Sequence, residues 1–189
     1  MIRLIVGLGN PGKEYIGTRH NFGRAVVEAF AVDKGVSWRT WRGQSVAKVD
    51  SQLSLLLPET YMNRSGEAVG QFVHYFALKP DQVLVVADEL DLPLGELELR
   101  RGGYHAGHRG HESVAEHLST ADYWRLRLGI GRPVGNRNPD TVAEYVLGQF
   151  RADEQVVVAK IIDESVSLLV ESQKIDPVVH TWTVPQAKE

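Results

Sequence analysis

The short apolar run Leu4-Ile5-Val6 empties into Gly7-Leu8-Gly9-Asn10-Pro11-Gly12, and this junction constrains the fold of the chain more tightly than any other stretch. An unbroken Leu/Ile/Val run bounded by turn residues is the pattern of a strand buried on both faces. Residues 2–6 are therefore expected to form such a strand, with the glycines making a tight turn at its carboxyl end. Eight residues past Gly12 stands His20, between Arg19 and Asn21. From Asn21 towards Lys34, Phe22, Val26, Val27, Phe30 and Ala31 recur at helical spacing. A second buried run, Val83-Leu84-Val85-Val86, ends in the carboxylates of Asp88-Glu89-Leu90-Asp91. Open α/β sheets collect ligands outside the carboxyl ends of their strands, so His20 and Asp88 are expected to share one crevice.

The remaining elements follow from periodicity and punctuation. Ser45–Val49 and Leu53–Leu57 read as short strands joined by a turn, the second stopped by Pro58. Ser65 is placed to cap a helix carrying Val69, Phe72, Val73 and Phe76. Leu97-Glu98-Leu99 reads as a short strand, residues 101–111 as loop, and Ser113–Leu118 as a short helix. Trp124-Arg125-Leu126-Arg127-Leu128 alternates, predicting a half-buried strand with both arginines on one face. Residues 131–139 read as loop, and a last helix runs from Asp153 to Lys174. Strands interspersed with helices predict an α/β fold. Residues 1–175 are expected to form a single-domain three-layer sandwich with a twisted mixed sheet and helices on both faces, followed by a mobile tail over 176–189.

Composition narrows the function classes. The 189 residues are 43% hydrophobic and 24% charged, ordinary for a soluble globular domain. No apolar run approaches the roughly 18 residues that would span a bilayer, and the N-terminus lacks the zones of a signal peptide, so a cytoplasmic location is expected. With no cysteine there is no disulfide, thiol nucleophile or zinc–thiolate site. The net charge of −3 speaks against nucleic acid as a partner, but its distribution speaks for one. Residues 100–137 carry seven arginines and no lysine against three carboxylates. Guanidinium forks match phosphate oxygens; the plainer alternative is a solvated charged face.

Gly7-x-Gly9-x-x-Gly12 matches the dinucleotide fingerprint in letters only. Pro11 intervenes, Lys13–Gly17 has no amphipathic pattern, and no acidic residue ends a second strand where a ribose would need it. His20 alone would be read as a packing or capping residue. Paired with a carboxylate it becomes a base that can take a proton from water. Without a Gly-x-Ser-x-Gly elbow or a cysteine, such a pair points to direct attack of water on an ester or similar acyl bond. His105-x-x-His108-x-x-His111 resembles a metal-ligand spacing, but Ala106-Gly107 and Arg109-Gly110 break the helix it needs, and Arg109 opposes a dication. No metal or cofactor is expected. Tyr61, Tyr104, Tyr123 and Trp124 are candidates for stacking on bases or, more simply, for the core.

Four blocks, in order, resemble bacterial peptidyl-tRNA hydrolases over nearly the whole chain: Gly7–Gly12 with Tyr15 and Thr18-Arg19-His20-Asn21; Pro58-Glu59-Thr60-Tyr61-Met62-Asn63-Arg64-Ser65-Gly66; Asp88-Glu89-Leu90-Asp91-Leu92-Pro93 with Gly95; and Arg125–Pro133. The resemblance implies hydrolysis of the ester between a peptide and the 3′-terminal ribose of tRNA by a monomer that meets the acceptor stem and 3′ end. It makes His20 the general base, Asp88 its orienting partner and Asn10 a sensor of the blocked α-amino group. It puts Tyr15, Tyr61 and Asn63 along the substrate site and makes Arg100 and Arg127 a clamp on the tRNA 5′-phosphate. The chain departs from the family's pattern at Arg109, where an asparagine usually serves the acyl-adenosine end, at Ala106 in place of glycine, and at Glu98 where lysine is common. Two readings follow: Arg109 pairs with a phosphate, or another polar group supplies the missing amide. The rival reading is an RNA-binding protein that keeps the fold and has lost the reaction.

Overall fold

A computed structural model describes residues 1–103, 105, 107–133, 138–171 and 180–184. The strands are β1 (Leu4–Gly7), β2 (Arg39–Trp41), β3 (Gln44–Lys48), β4 (Ser54–Leu57), β5 (Val83–Glu89), β6 (Glu96–Arg101), β7 (Trp124–Gly129) and β8 (His180–Thr183). The helices are α1 (Phe22–Asp33), α2 (Ser65–Tyr75), α3 (Arg109–Leu118), α4 (Pro139–Leu147) and α5 (Gln155–Glu171). The sheet order is β2-β3-β4-β1-β5-β7-β6-β8. The four central strands β4, β1, β5 and β7 run parallel, and the outer pairings are antiparallel.

Burial explains the strand sequences. All seven residues of β5 and all four of β1 are buried, as central strands covered on both faces must be. One face packs Ile5, Leu55, Leu57, Leu84, Val86, Leu126 and Leu128 against α1 and α5. The other packs Val6, Leu56, Val83, Val85 and Tyr123 against α2 and α3. Helices thus lie on both faces of a mixed sheet, the three-layer arrangement expected from the sequence.

Several local expectations are corrected. Ser65 does not cap α2: it is the helix's first residue, fully buried, and its hydroxyl makes no capping bond. The stretch read as loop to residue 111 becomes helical at Arg109, because the His108 ring caps α3 by accepting from Gly110 N and His111 N. Sequence periodicity missed β2, which is too short to show it, and α4, whose cap is Asn138 and whose first turn holds Pro139. Of the segment expected to be a mobile tail, residues 180–184 instead form an edge: β8 pairs with β6, Trp182 packs on the core and Val184 is buried. Residues 176–179 and 185–189 lie outside the described residues, as do Tyr104, Ala106 and Arg137.

Candidate active site

β1 and β5 lie side by side and parallel, so the turn after Gly7 and the carboxyl end of β5 meet. A crevice of 540 Å³ opens there. Asn10, His20, Asp88, Glu89, Tyr61, Asn63, His108 and Arg109 line its polar side, and Val142, Ala143, Val146 and Leu147 of α4 line its apolar side.

His20 is placed by a short 3-10 turn, Arg19–Asn21, that leads into α1. The first turn of α1 sits directly on β5. A Cβ at Gly23 would lie 2.1 Å from the Val86 carbonyl oxygen, so no other residue permits this approach. Arg19 anchors the same turn from behind. Its guanidinium is buried, bonds Glu154 at 2.7 Å and the Gln149 carbonyl at 2.6 Å, and lies over the Tyr145 ring.

The result is direct contact between His20 and Asp88, with Nδ1 3.0 Å from Oδ1 and 3.1 Å from Oδ2. Asp88 is 2% exposed. Burial opposes its charge, but the two histidines on it outweigh that cost and hold its carboxyl well below the usual range. An ionised Asp88 accepts the Nδ1 proton of His20, which leaves Nε2 as the ring's lone-pair nitrogen. Burial also opposes a charged His20 ring. The charge and hydrogen bond of Asp88 prevail over it, so the pKa of His20 is raised, with Arg109 pulling weakly the other way.

The second histidine is His108, whose Nε2 lies 3.2 Å from Asp88 Oδ1. Its Nδ1 accepts from two backbone amides, so the neutral ring carries its proton on Nε2 and donates it to Asp88. Asp88 is therefore held from two sides, by elements that approach from opposite faces of the sheet. Beyond His108, the His111 ring is buried and its pKa is driven well down by that burial and by neighbouring positive charge. It meets the phenol of Tyr123 at 3.1 Å, which burial pushes up to about 12 against the pull of Arg125. The His111 and Tyr123 rings stack behind His108.

Asn10 is held as firmly. Its backbone N–H donates to Asn21 Oδ1 at 2.8 Å, and its carbonyl accepts from Asn21 Nδ2 at 2.9 Å. Its own Oδ1 accepts from the Met62 N–H at 2.7 Å. With that oxygen committed, the Nδ2 hydrogens are what Asn10 has to offer a ligand. Asn63 and Tyr61 are exposed on the rim, and Tyr15 meets Tyr61 edge-to-face at 6.5 Å.

Comparison with known proteins settles the family. The sequence profile of the family described as peptidyl-tRNA hydrolase matches residues 4–187. The chain belongs to the peptidyl-tRNA hydrolase family. It is 45% identical over 168 residues to the peptidyl-tRNA hydrolase of Aromatoleum aromaticum, covering 87% of this chain and 84% of that one. It is 47% identical over 167 residues to that of Synechocystis, covering 85% and 84%. The crystal structure of the Acinetobacter baumannii peptidyl-tRNA hydrolase superposes with a TM-score of 0.83 at 38% identity, over 92% of this chain and 90% of that one.

The chain brings Asn10, His20, Asp88, Tyr61, Asn63 and Arg109 to one crevice, with Tyr15 one ring away. It does not bring Arg100 and Arg127 there. They stand on β6 and β7 behind Glu89, and Arg127 is ion-paired with both Glu89 and Glu98. The three histidines of His105-x-x-His108-x-x-His111 do not converge: His108 turns to Asp88 and His111 to Tyr123. Among the described residues, the metal-capable atoms that do converge, within 4.8 Å, are those of His20, Asp88 and His108, and hydrogen bonds already account for that closeness. Sequence reasoning missed His108 as a partner of Asp88, along with Asn21, Glu89 and the Arg19 anchor. No local pattern marks these contacts; in the sequence His108 belongs to His105-x-x-His108-x-x-His111, whose spacing points to a metal and not to a carboxylate partner.

Proposed function

We propose that the chain hydrolyses the ester linking a peptide to the 3′-terminal ribose of tRNA, with His20 as general base and Asp88 as its orienting partner. The observation that carries this reading is the Nδ1 contact of His20 with a buried carboxylate, which leaves Nε2 unprotonated in the neutral ring beside an open crevice. Nε2 takes a proton from water as that water attacks the ester carbonyl. The imidazolium so formed is stabilised by Asp88 and returns the proton to the departing ribose oxygen.

Asn10, through Nδ2, and Asn63 are the amides that donate to the substrate's carbonyl and backbone. A preorganised donor of this kind is worth about 2.7–4 kcal/mol of barrier lowering. The fixed Asn10 amide also suits recognition of an acylated peptide nitrogen. Tyr61 and Tyr15 pack along the substrate, and Arg109 at the start of α3 meets a phosphate of the 3′ end. Arg100 meets a phosphate of the acceptor stem, a contact that sets register and reads no sequence.

Turnover of an N-acetylated aminoacyl-tRNA tests the reading. His20→Ala should lower kcat by about 10²–10⁴-fold with KM little changed. A wild-type protein that bound the tRNA without releasing the acyl group would instead be an RNA-binding protein on this fold.

A further inference from the structure

Glu98 stands in the middle of the arginines from which a phosphate contact is expected. Along β6 and β7 alternate residues share a face, and the antiparallel register sets Glu98 opposite Arg127 and Arg100 opposite Arg125. The Glu98 carboxylate bonds Arg127 Nη1 through Oε2 and lies 3.8 Å from Arg100 Nη1. Arg127 is held on its other side by Glu89, at 2.8 Å. Arg127 therefore meets two carboxylates and Arg100 one, and the space between Arg100 and Arg127 already holds an anion. A carboxylate there offers the guanidinium fork the same planar pair of oxygens that a phosphate would.

We propose that Glu98 is an internal competitor for tRNA phosphate, a specificity-determining residue that keeps the affinity for tRNA low. This rests on the reading that a tRNA phosphate engages Arg100. An incoming phosphate either displaces the Glu98 carboxylate from the two arginines or settles beside it against like-charge repulsion, and both weaken binding. Arg127 is fixed between Glu89 and Glu98 and holds Glu98 in place, so the carboxylate must be displaced before Arg127 can meet a phosphate. The contact lies outside the crevice that holds the ester, so it is made equally in the ground and transition states. Its strength then enters KM and the residence of deacylated tRNA, and leaves kcat alone.

The test is Glu98→Gln, which keeps shape and removes charge while Glu89 still holds Arg127, with Arg100→Ala in parallel. KM and kcat are measured on N-acetylated aminoacyl-tRNA with and without its 5′-phosphate, and Kd is measured for deacylated tRNA across salt concentrations. Glu98→Gln is expected to lower KM and Kd by about fivefold with kcat unchanged, and to steepen the salt dependence of binding. Loss of the gain on tRNA lacking the 5′-phosphate would assign that phosphate; its persistence would move the contact to a backbone phosphate of the stem. If Arg100→Ala weakens binding and Glu98→Gln does not strengthen it, Glu98 is only a strut and the proposal is overturned. If neither substitution changes binding, the phosphate contact itself is wrong, and the proposal falls with it. Matched thermal unfolding of Glu98→Gln and wild type separates a change in affinity from a change in fold.

Discussion

His20 Nδ1 and Asp88 Oδ1 lie 3.0 Å apart although 68 positions separate the two residues in the chain. The contact exists because β1 and β5 are parallel neighbours whose carboxyl ends open at the same edge of the sheet. The close approach of Gly23 to β5, with Gly7 and Gly9 packed against the start of α1, sets the His20 ring beside the end of β5. The chemistry proposed for the site depends on that distance, and so does its response to pH.

Because Asp88 raises the pKa of His20 against the effect of burial, the acid limb of kcat/KM is expected above pH 6.5, the ordinary histidine value. Asp88→Asn leaves burial unopposed. The limb should then move below 6.5 while kcat falls by about 10²–10⁴-fold, with tRNA affinity nearly intact. A limb that stays in place in Asp88→Asn would mean that another group is being titrated. Stability follows the same linkage. The contribution of His20 is complete below its unfolded value of 6.5 and is lost as pH rises through the raised folded value. That of Asp88 is present above its ordinary 3.8 and is lost as pH falls below it.

His108 has two jobs that substitution can separate. It caps α3 through Nδ1 and donates to Asp88 through Nε2. His108→Ala removes both and should cost about 1–2 kcal/mol in urea unfolding from the cap alone. His108→Asn keeps a capping side chain but is too short to serve Asp88. It should recover most of that stability while kcat stays below wild type. Equal kcat in His108→Asn and wild type would show that Asp88 is oriented by His20 alone.

The Arg19–Glu154 pair joins the His20 turn to the segment before α5, and both partners are buried. Glu154→Ala strands a buried guanidinium and should lower unfolding free energy by about 3–5 kcal/mol. A thermal midpoint within a degree of wild type would show that the Gln149 carbonyl and the Tyr145 ring suffice to hold Arg19.

Gly23→Ala places a methyl 2.1 Å from the Val86 carbonyl oxygen. The start of α1 must lift from β5, at a cost of about 1–3 kcal/mol, and it carries His20 away from Asp88. Activity should fall by more than the loss of folded protein accounts for, measured as kcat per active site. A stable variant with full kcat would contradict the packing described for this turn.

The sequence by itself determined the strand–turn units at Leu4–Gly12 and Val83–Asp91, the helix after His20, the alternation of Trp124–Leu128 and the class of chemistry available to a His–Asp pair without a side-chain nucleophile. Each is written in residues near one another in the chain, where periodicity and glycine placement carry the physics. Tertiary structure decided what depends on elements meeting. It turned His108 from a member of a histidine stretch into the second donor on Asp88. It spent the Asn10 oxygen on the Met62 amide and so selected which end of that side chain a substrate meets. It locked Arg127 between Glu89 and Glu98, two partners that the spacing of the arginines does not announce. It also placed His180–Thr183 as an edge strand, because β6 offered an unpaired side that no local pattern in the tail could announce. Charge and hydrogen-bond partners are chosen across the sheet, by register and packing, and one-dimensional spacing does not record them.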